Sequence, residues 1–102
     1  MSEESTEREI PVIFPDAIRG GVYSNTMVVR HTREEFVLDF MMVVPPAGAV
    51  TARVITSPGH MKRMISMLIQ TLKNHEEQHG ILEEAAEPPR HRMGFQTPSA
   101  RE

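Results

Sequence analysis

The residues best suited to do chemistry lie near the end of a predicted helix, where His75, Glu76 and His79 form the pattern H-E-x-x-H. On a helix the two histidines lie one turn apart on the same face, so they can bind Zn²⁺ while the glutamate activates a bound water. This is the chemistry of a metalloprotease. A zinc-dependent hydrolase is therefore one hypothesis for this chain.

The surroundings of the motif count against a zinc site. The extended form of the pattern needs a third histidine at position 85, which is alanine here. The motif occupies the last turn of its helix, and the 22 residues after Gly80 are rich in proline. A histidine near a helix C-terminus also complements the helix dipole, which is a structural role. We expect no cofactor and no metal, and we keep His75 and His79 as weak candidate ligands.

Other polar candidates lie in the predicted strands and at the start of the helix. Asp39 is flanked by apolar residues in the second strand, and a carboxylate there needs a partner such as Arg53 on the neighbouring strand. Tyr23 and Asn25 open the first strand, where they form either a polar ligand patch or strand-start hydrogen bonds. The first helical turns carry a histidine and an arginine. The candidate binding residues are Tyr23, Asn25, Asp39, Arg53, His60 and Arg63.

The 102 residues carry 11 basic and 14 acidic side chains, and the excess acid lies at the two ends. Residues 1–9 hold four glutamates against one arginine, and residues 83–102 hold four glutamates against three arginines. We predict a disordered acidic arm at 1–9, a single domain over 10–82, and a disordered Pro-rich tail at 83–102. The domain has seven basic and six acidic residues, so it shows no strong nucleic-acid footprint.

The composition also excludes several classes of protein. The chain has no cysteine, which excludes a disulfide scaffold and thiol catalysis. No apolar run approaches the roughly 18–20 residues of a membrane span. Residues 1–9 lack the apolar stretch of a secretory signal. We therefore expect a cytoplasmic protein without membrane association.

The hydropathy pattern predicts three strands, over residues 22–31, 36–44 and 50–56, with Gly48 in the loop before the third. Their short connections favour an antiparallel meander. Residues 10–14 contain a proline and form either an edge strand or an extended arm. The predicted fold class is α+β, with a three- to four-stranded antiparallel β-meander followed by one long C-terminal α-helix.

Local signals mark both ends of that helix. Ser57 is a suitable N-cap and Pro58 suits the first helical position. Gly80 fits a left-handed C-terminal cap, so the helix runs to about His79. Apolar side chains recur along it at three- and four-residue spacing and form a stripe of Met61, Met64, Ile65, Leu68 and Leu72, widened by Met67 and Ile69.

The second strand is apolar on both faces, and one helix can cover only one of them. The simplest cover for the other face is a second copy of the chain, so we expect a homodimer or a higher oligomer. The alternative is that the N-terminal arm and the tail fold back over it. Six methionines in the predicted elements suit a core or an interface, and also an adaptable binding surface.

Three blocks of sequence resemble a small bacterial family, domain of unknown function 3467. They are GVYSN at 21–25, EFVLDF at 35–40, and RVITSP at 53–58 with His60, Lys62 and Arg63 after it. The resemblance covers residues 10–81. The family has no assigned activity, so the resemblance implies no catalytic residue. Its helix end usually carries aromatic residues where this chain has His75 and His79, so the H-E-x-x-H is private to this sequence, either fortuitous or an acquired metal site.

These observations favour a non-enzymatic oligomeric interaction module that binds an unidentified protein partner. The layout is similar to that of export chaperones of the SecB type, which suggests by analogy a chaperone-like version. A transcription-associated or nucleic-acid-binding factor is the alternative, because family members in some bacteria are encoded near RNA polymerase subunit genes. That alternative would use Arg30, Arg33, Lys62 and Arg63. The zinc-dependent hydrolase is the third hypothesis.

Overall fold

The computed structural model describes residues 9–86 and residue 94, which contain a three-stranded antiparallel sheet followed by one long helix. The strands are β1 (Thr26–His31), β2 (Phe36–Val44) and β3 (Ala47–Thr56), in the spatial order β1-β2-β3. Helix α1 spans Pro58–His79, and a short 3-10 helix at Asp16–Ile18 precedes the sheet. The predicted α+β meander and the predicted bounds of the second strand are confirmed.

The predicted acidic arm and Pro-rich tail lie almost entirely outside the described residues. Of the arm only Glu9 is described, and of the tail only residues 83–86 and 94. Residues 10–14 are described and form no strand, so the edge-strand alternative for this segment is wrong. Their apolar side chains are exposed.

Strand β1 begins at Thr26, later than the predicted start at residue 22, because the side chain of Asn25 replaces the next backbone pair. The Asn25 N–H donates to the carbonyl oxygen of Met41 at 2.9 Å. The Asn25 amide then donates to the carbonyl of Val43 and accepts from its N–H, both at 2.9 Å. The backbone groups of Val43 are thereby satisfied, and the ladder of β1 ends.

Strands β2 and β3 are joined directly by Pro45 and Pro46, whose peptide bond is cis. Pairing resumes at once, with Ala47 opposite Val44 and Gly48 opposite Val43. The prediction of a loop at Gly48 and a strand start at residue 50 is therefore wrong. A side chain at Gly48 would place its Cβ 3.0 Å from the Val43 side chain, so glycine permits close approach of the two strands here.

Both predicted bounds of the helix and its N-terminal cap are confirmed, whereas the conformation of the C-terminal cap differs from the prediction. At the start of α1 the Ser57 hydroxyl accepts from the His60 N–H at 3.2 Å, and Pro58 is the first helical residue. At the end the Gly80 N–H donates to the carbonyl of Glu76 at 2.8 Å. Gly80 has φ 100° and ψ 163°, so the cap uses positive φ but is not the left-handed helical cap that we predicted.

The buried core of the described residues is small and lies in β2. Its apolar members are Leu38 and Met41, which are 4% and 3% exposed. Helix α1 has no buried residue and makes at most marginal contact with the strands. We expected the helix to cover one face of the sheet, and the structure differs. Only Ser57 separates β3 from α1, which leaves too little chain for the helix to turn back.

Candidate functional site

A buried carboxylate at the centre of the sheet is the core of a polar cluster. Asp39 lies in the middle of β2, is 1% exposed, and stands directly opposite Arg53 of β3. Arg53 donates from Nε to Oδ1 at 2.6 Å and from Nη2 to Oδ2 at 2.8 Å. This is the bidentate geometry that makes charge-assisted pairs strong and directional. The predicted partnership of Asp39 with Arg53 is confirmed.

A second arginine reaches the same carboxylate from β1, the strand on the other side of β2 from β3. Arg30 of β1 donates from Nη2 to Asp39 Oδ2 at 2.7 Å. Sequence reasoning missed this contact because the residue directly opposite Asp39 on β1 is Val28, and Arg30 lies two positions further along. Two positions on a strand return to the same face, so the alternation rule could have found Arg30 once the register was known.

Hydrogen bonds from Arg53 lower the pKa of Asp39 below its ordinary value of 3.8. Burial acts in the opposite direction, and the positive charges of Arg53 and Arg30 lower the pKa further. The same pairing raises the pKa of Arg53. A carboxylate held ionised by donors on both oxygens is a poor proton acceptor, so this geometry suits a structural tie between strands better than acid–base catalysis.

The six predicted binding residues do not form one site. Asn25 lies beside Val43, near the C-terminal end of β2. Strand β3, which leads into the helix, ends at Thr56, and Thr56 lies opposite Phe36 at the other end of β2. Val43 lies seven positions after Phe36 on this strand, a distance of about 24 Å. Asn25 and His60 therefore lie towards opposite ends of the sheet, with Asp39 and Arg53 between them. Tyr23 is exposed beyond the start of β1.

His60 and Arg63 form a separate pair on the first turns of α1. Arg63 Nη2 donates to His60 Nδ1 at 2.8 Å. A guanidinium has no acceptor, so Nδ1 is the acceptor in this contact. Two of the four basic residues considered for nucleic-acid binding, Arg30 and Arg63, are thus engaged within the chain.

The H-E-x-x-H motif lies on the last turn of α1, as expected. The rings of His75 and His79 are neighbours, with their centroids 4.7 Å apart. Glu76 Oε2 accepts from the Leu82 N–H at 3.1 Å, which uses this carboxylate to hold the chain after the helix. In the part of the chain that the structure describes, no three His, Asp or Glu side chains are grouped so that they could hold a metal.

The family model for proteins of unknown function DUF3467 matches residues 1–84, which is most of the chain. The chain belongs to the DUF3467 family. This confirms the resemblance seen in the three sequence blocks. Comparison with curated proteins gave no significant match, and comparison with solved structures gave none either.

This DUF3467 protein exposes many large apolar side chains, both on α1 and before the sheet. Along α1 the side chains of Ile65, Leu68 and Leu72 are about half exposed or more, and Leu68 reaches 65%. Residues 10–14, which precede the sheet and which we call the arm before the sheet, expose Ile13 and Phe14 in the same way. Among the described residues no helix has both the length and the apolar content of a membrane span.

Proposed function

We propose that this DUF3467 protein is a cytoplasmic, non-enzymatic, oligomeric module that binds a protein partner through its apolar surface. The observation that carries the proposal is the state of α1, which has 22 residues and buries none of them. Helices in water gain most of their stability from packing an apolar face against other structure. The stripe on α1 therefore needs a covering surface, and a second copy of the chain is the simplest one.

In the proposed oligomer, a second apolar surface remains exposed and can bind the protein partner. The arm before the sheet carries Ile10, Val12, Ile13 and Phe14, all strongly exposed and not part of any strand. Exposed apolar groups of this density are typical of interaction sites. The partner that fits an extended aliphatic arm is an apolar segment of a non-native polypeptide, which is the chaperone-like version of the proposal.

The proposal is tested by titrating the protein into a fluorescently labelled, permanently unfolded polypeptide and following anisotropy. Ile13→Ser should weaken binding about tenfold, since burying an isoleucine contributes roughly 1.5–3 kcal/mol. Ile81→Ser is the matched control, because Ile81 and Ile13 are 86% and 84% exposed. Absence of binding by the wild type would contradict the chaperone-like version, and equal losses in both variants would contradict the role of the arm.

A further inference from the structure

Six side chains of α1 follow one another at alternating spacings of four and three residues. They are Met61, Ile65, Leu68, Leu72, His75 and His79, and we call them the helix seam. This heptad spacing is typical of the contact line between two paired helices. The seam runs nearly the whole length of α1, and the two histidines of the H-E-x-x-H motif continue it.

We propose that two copies of the chain pair their α1 helices in antiparallel orientation along the helix seam. This inference rests on the oligomer of the proposed function and specifies its interface. The register that aligns both seams brings Leu68 against Leu72 of the partner subunit at the centre. Ile65 then meets His75 of the partner subunit, and Met61 meets His79 of the partner subunit. The histidines thus act as packing residues.

Charge complementarity selects the antiparallel orientation. Lys62 and Glu76 each lie one residue after a seam position, on the same flank of the helix. In the antiparallel register Lys62 faces Glu76 of the partner subunit, and twofold symmetry forms this pair twice. In a parallel pair the two residues would be 14 positions apart, about 21 Å along the axis, and the histidines would face their own copies. Only the antiparallel pair matches opposite charges and keeps aliphatic side chains beside the histidines.

Disulfide formation between single-cysteine variants tests the orientation, because the natural chain has no cysteine. Met61→Cys and His79→Cys are oxidised alone and as a mixture. The antiparallel pair predicts a cross-linked dimer in the mixture and none from either variant alone, since like positions would be about 27 Å apart. Cross-linking of each variant alone would show a parallel pair and overturn the inference.

Two further outcomes separate this inference from the proposed function. If the protein sediments as an oligomer but no cysteine combination cross-links, α1 is not the interface, and the inference fails while the oligomer stands. If the protein sediments as a monomer, both fail.

Charge reversal gives an independent test in the natural background. Lys62→Glu should weaken the dimer about tenfold, because two attractive pairs become repulsive, and Lys62→Glu with Glu76→Lys should restore it. Glutamate near the helix start and lysine near its end both favour the helix dipole, so a weaker dimer cannot be ascribed to a weaker helix. Lys73→Glu, off the seam on the same helix, is the control. An equal effect in the control, or no rescue by the double variant, would overturn the antiparallel register.

Discussion

Asp39 and Arg53 lie directly opposite each other on β2 and β3 and share two hydrogen bonds of 2.6 and 2.8 Å. Arg30 completes the cluster from β1, so one buried carboxylate ties together all three strands. A slip of one residue in either pairing would turn Asp39 to the face opposite its arginines. Only two apolar side chains of this sheet are buried, so the apolar core specifies the strand register weakly. The Asp39 cluster therefore supplies most of that specificity.

Asp39→Asn should lower the urea midpoint of unfolding. Asparagine keeps the shape of the side chain but leaves two guanidinium groups facing each other without a carboxylate between them. The urea midpoint is measured at one fixed protein concentration. Asp16→Asn is the control, because Asp16 pairs with Arg19 on the exposed surface and such pairs contribute little. Equal effects of the two substitutions would contradict the structural role of the buried cluster.

The contribution of Asp39 should depend on pH with a definite sign. Because Arg53 holds the pKa of Asp39 below 3.8 in the folded chain, ionised Asp39 stabilises the fold at pH values above its unfolded pKa. That stability is lost as the pH falls through the lowered pKa. Urea midpoints of the wild type and Asp39→Asn should therefore differ by a constant amount from pH 7 to about 5 and converge below pH 3.8. A gap that widens on acidification would show the opposite sign.

Asn25→Ala should destabilise the end of the sheet by about 1 kcal/mol, the net value of a typical hydrogen bond. The Asn25 side chain satisfies both backbone groups of Val43, and water would replace it only in part. Amide hydrogen exchange at Val43 should quicken, and urea unfolding should report the loss. The neighbouring Ser24→Ala should change neither measurement. Unchanged exchange at Val43 in Asn25→Ala would contradict the capping role.

Prediction from the sequence was most accurate for features that depend only on residues adjacent in the chain. Ser57, Pro58 and Gly80 act on the helix backbone beside them, so both ends of α1 were predicted correctly. The starts of β1 and β3 were missed because they depend on partners. Gly48 has little intrinsic strand preference and pairs only because the strands are already joined at Pro45 and Pro46. Asn25 sets the start of β1 through a contact with a residue 18 positions away in the sequence.

Of the two arginines that pair with Asp39, only one could be predicted from the sequence, for the same reason. Arg53 follows from its place opposite an isolated carboxylate in a meander, whereas Arg30 requires the register of the other hairpin. The failure of α1 to cover the sheet could not be read from its stripe. An apolar stripe states that the helix needs a partner but not whether the partner belongs to the same chain.

Protein purified without a histidine tag should contain less than one zinc per chain. His75 and His79 offer two ligands, and residues 9–86 group no third ligand with them. His75→Ala should therefore leave the zinc content unchanged by elemental analysis. Stoichiometric zinc that disappears in His75→Ala would instead revive the hydrolase hypothesis.

Sedimentation equilibrium at micromolar concentration tests the central claim, that the exposed seam of α1 joins copies of the chain. The wild type should have at least twice the 11.5 kDa mass of one chain. Leu68→Ser should raise the dissociation constant about a hundredfold, since two leucines lose burial. Met67→Ser should leave it unchanged, because Met67 is similarly exposed, at 60%, but lies off the seam. A wild type that sediments at 11.5 kDa would contradict the account.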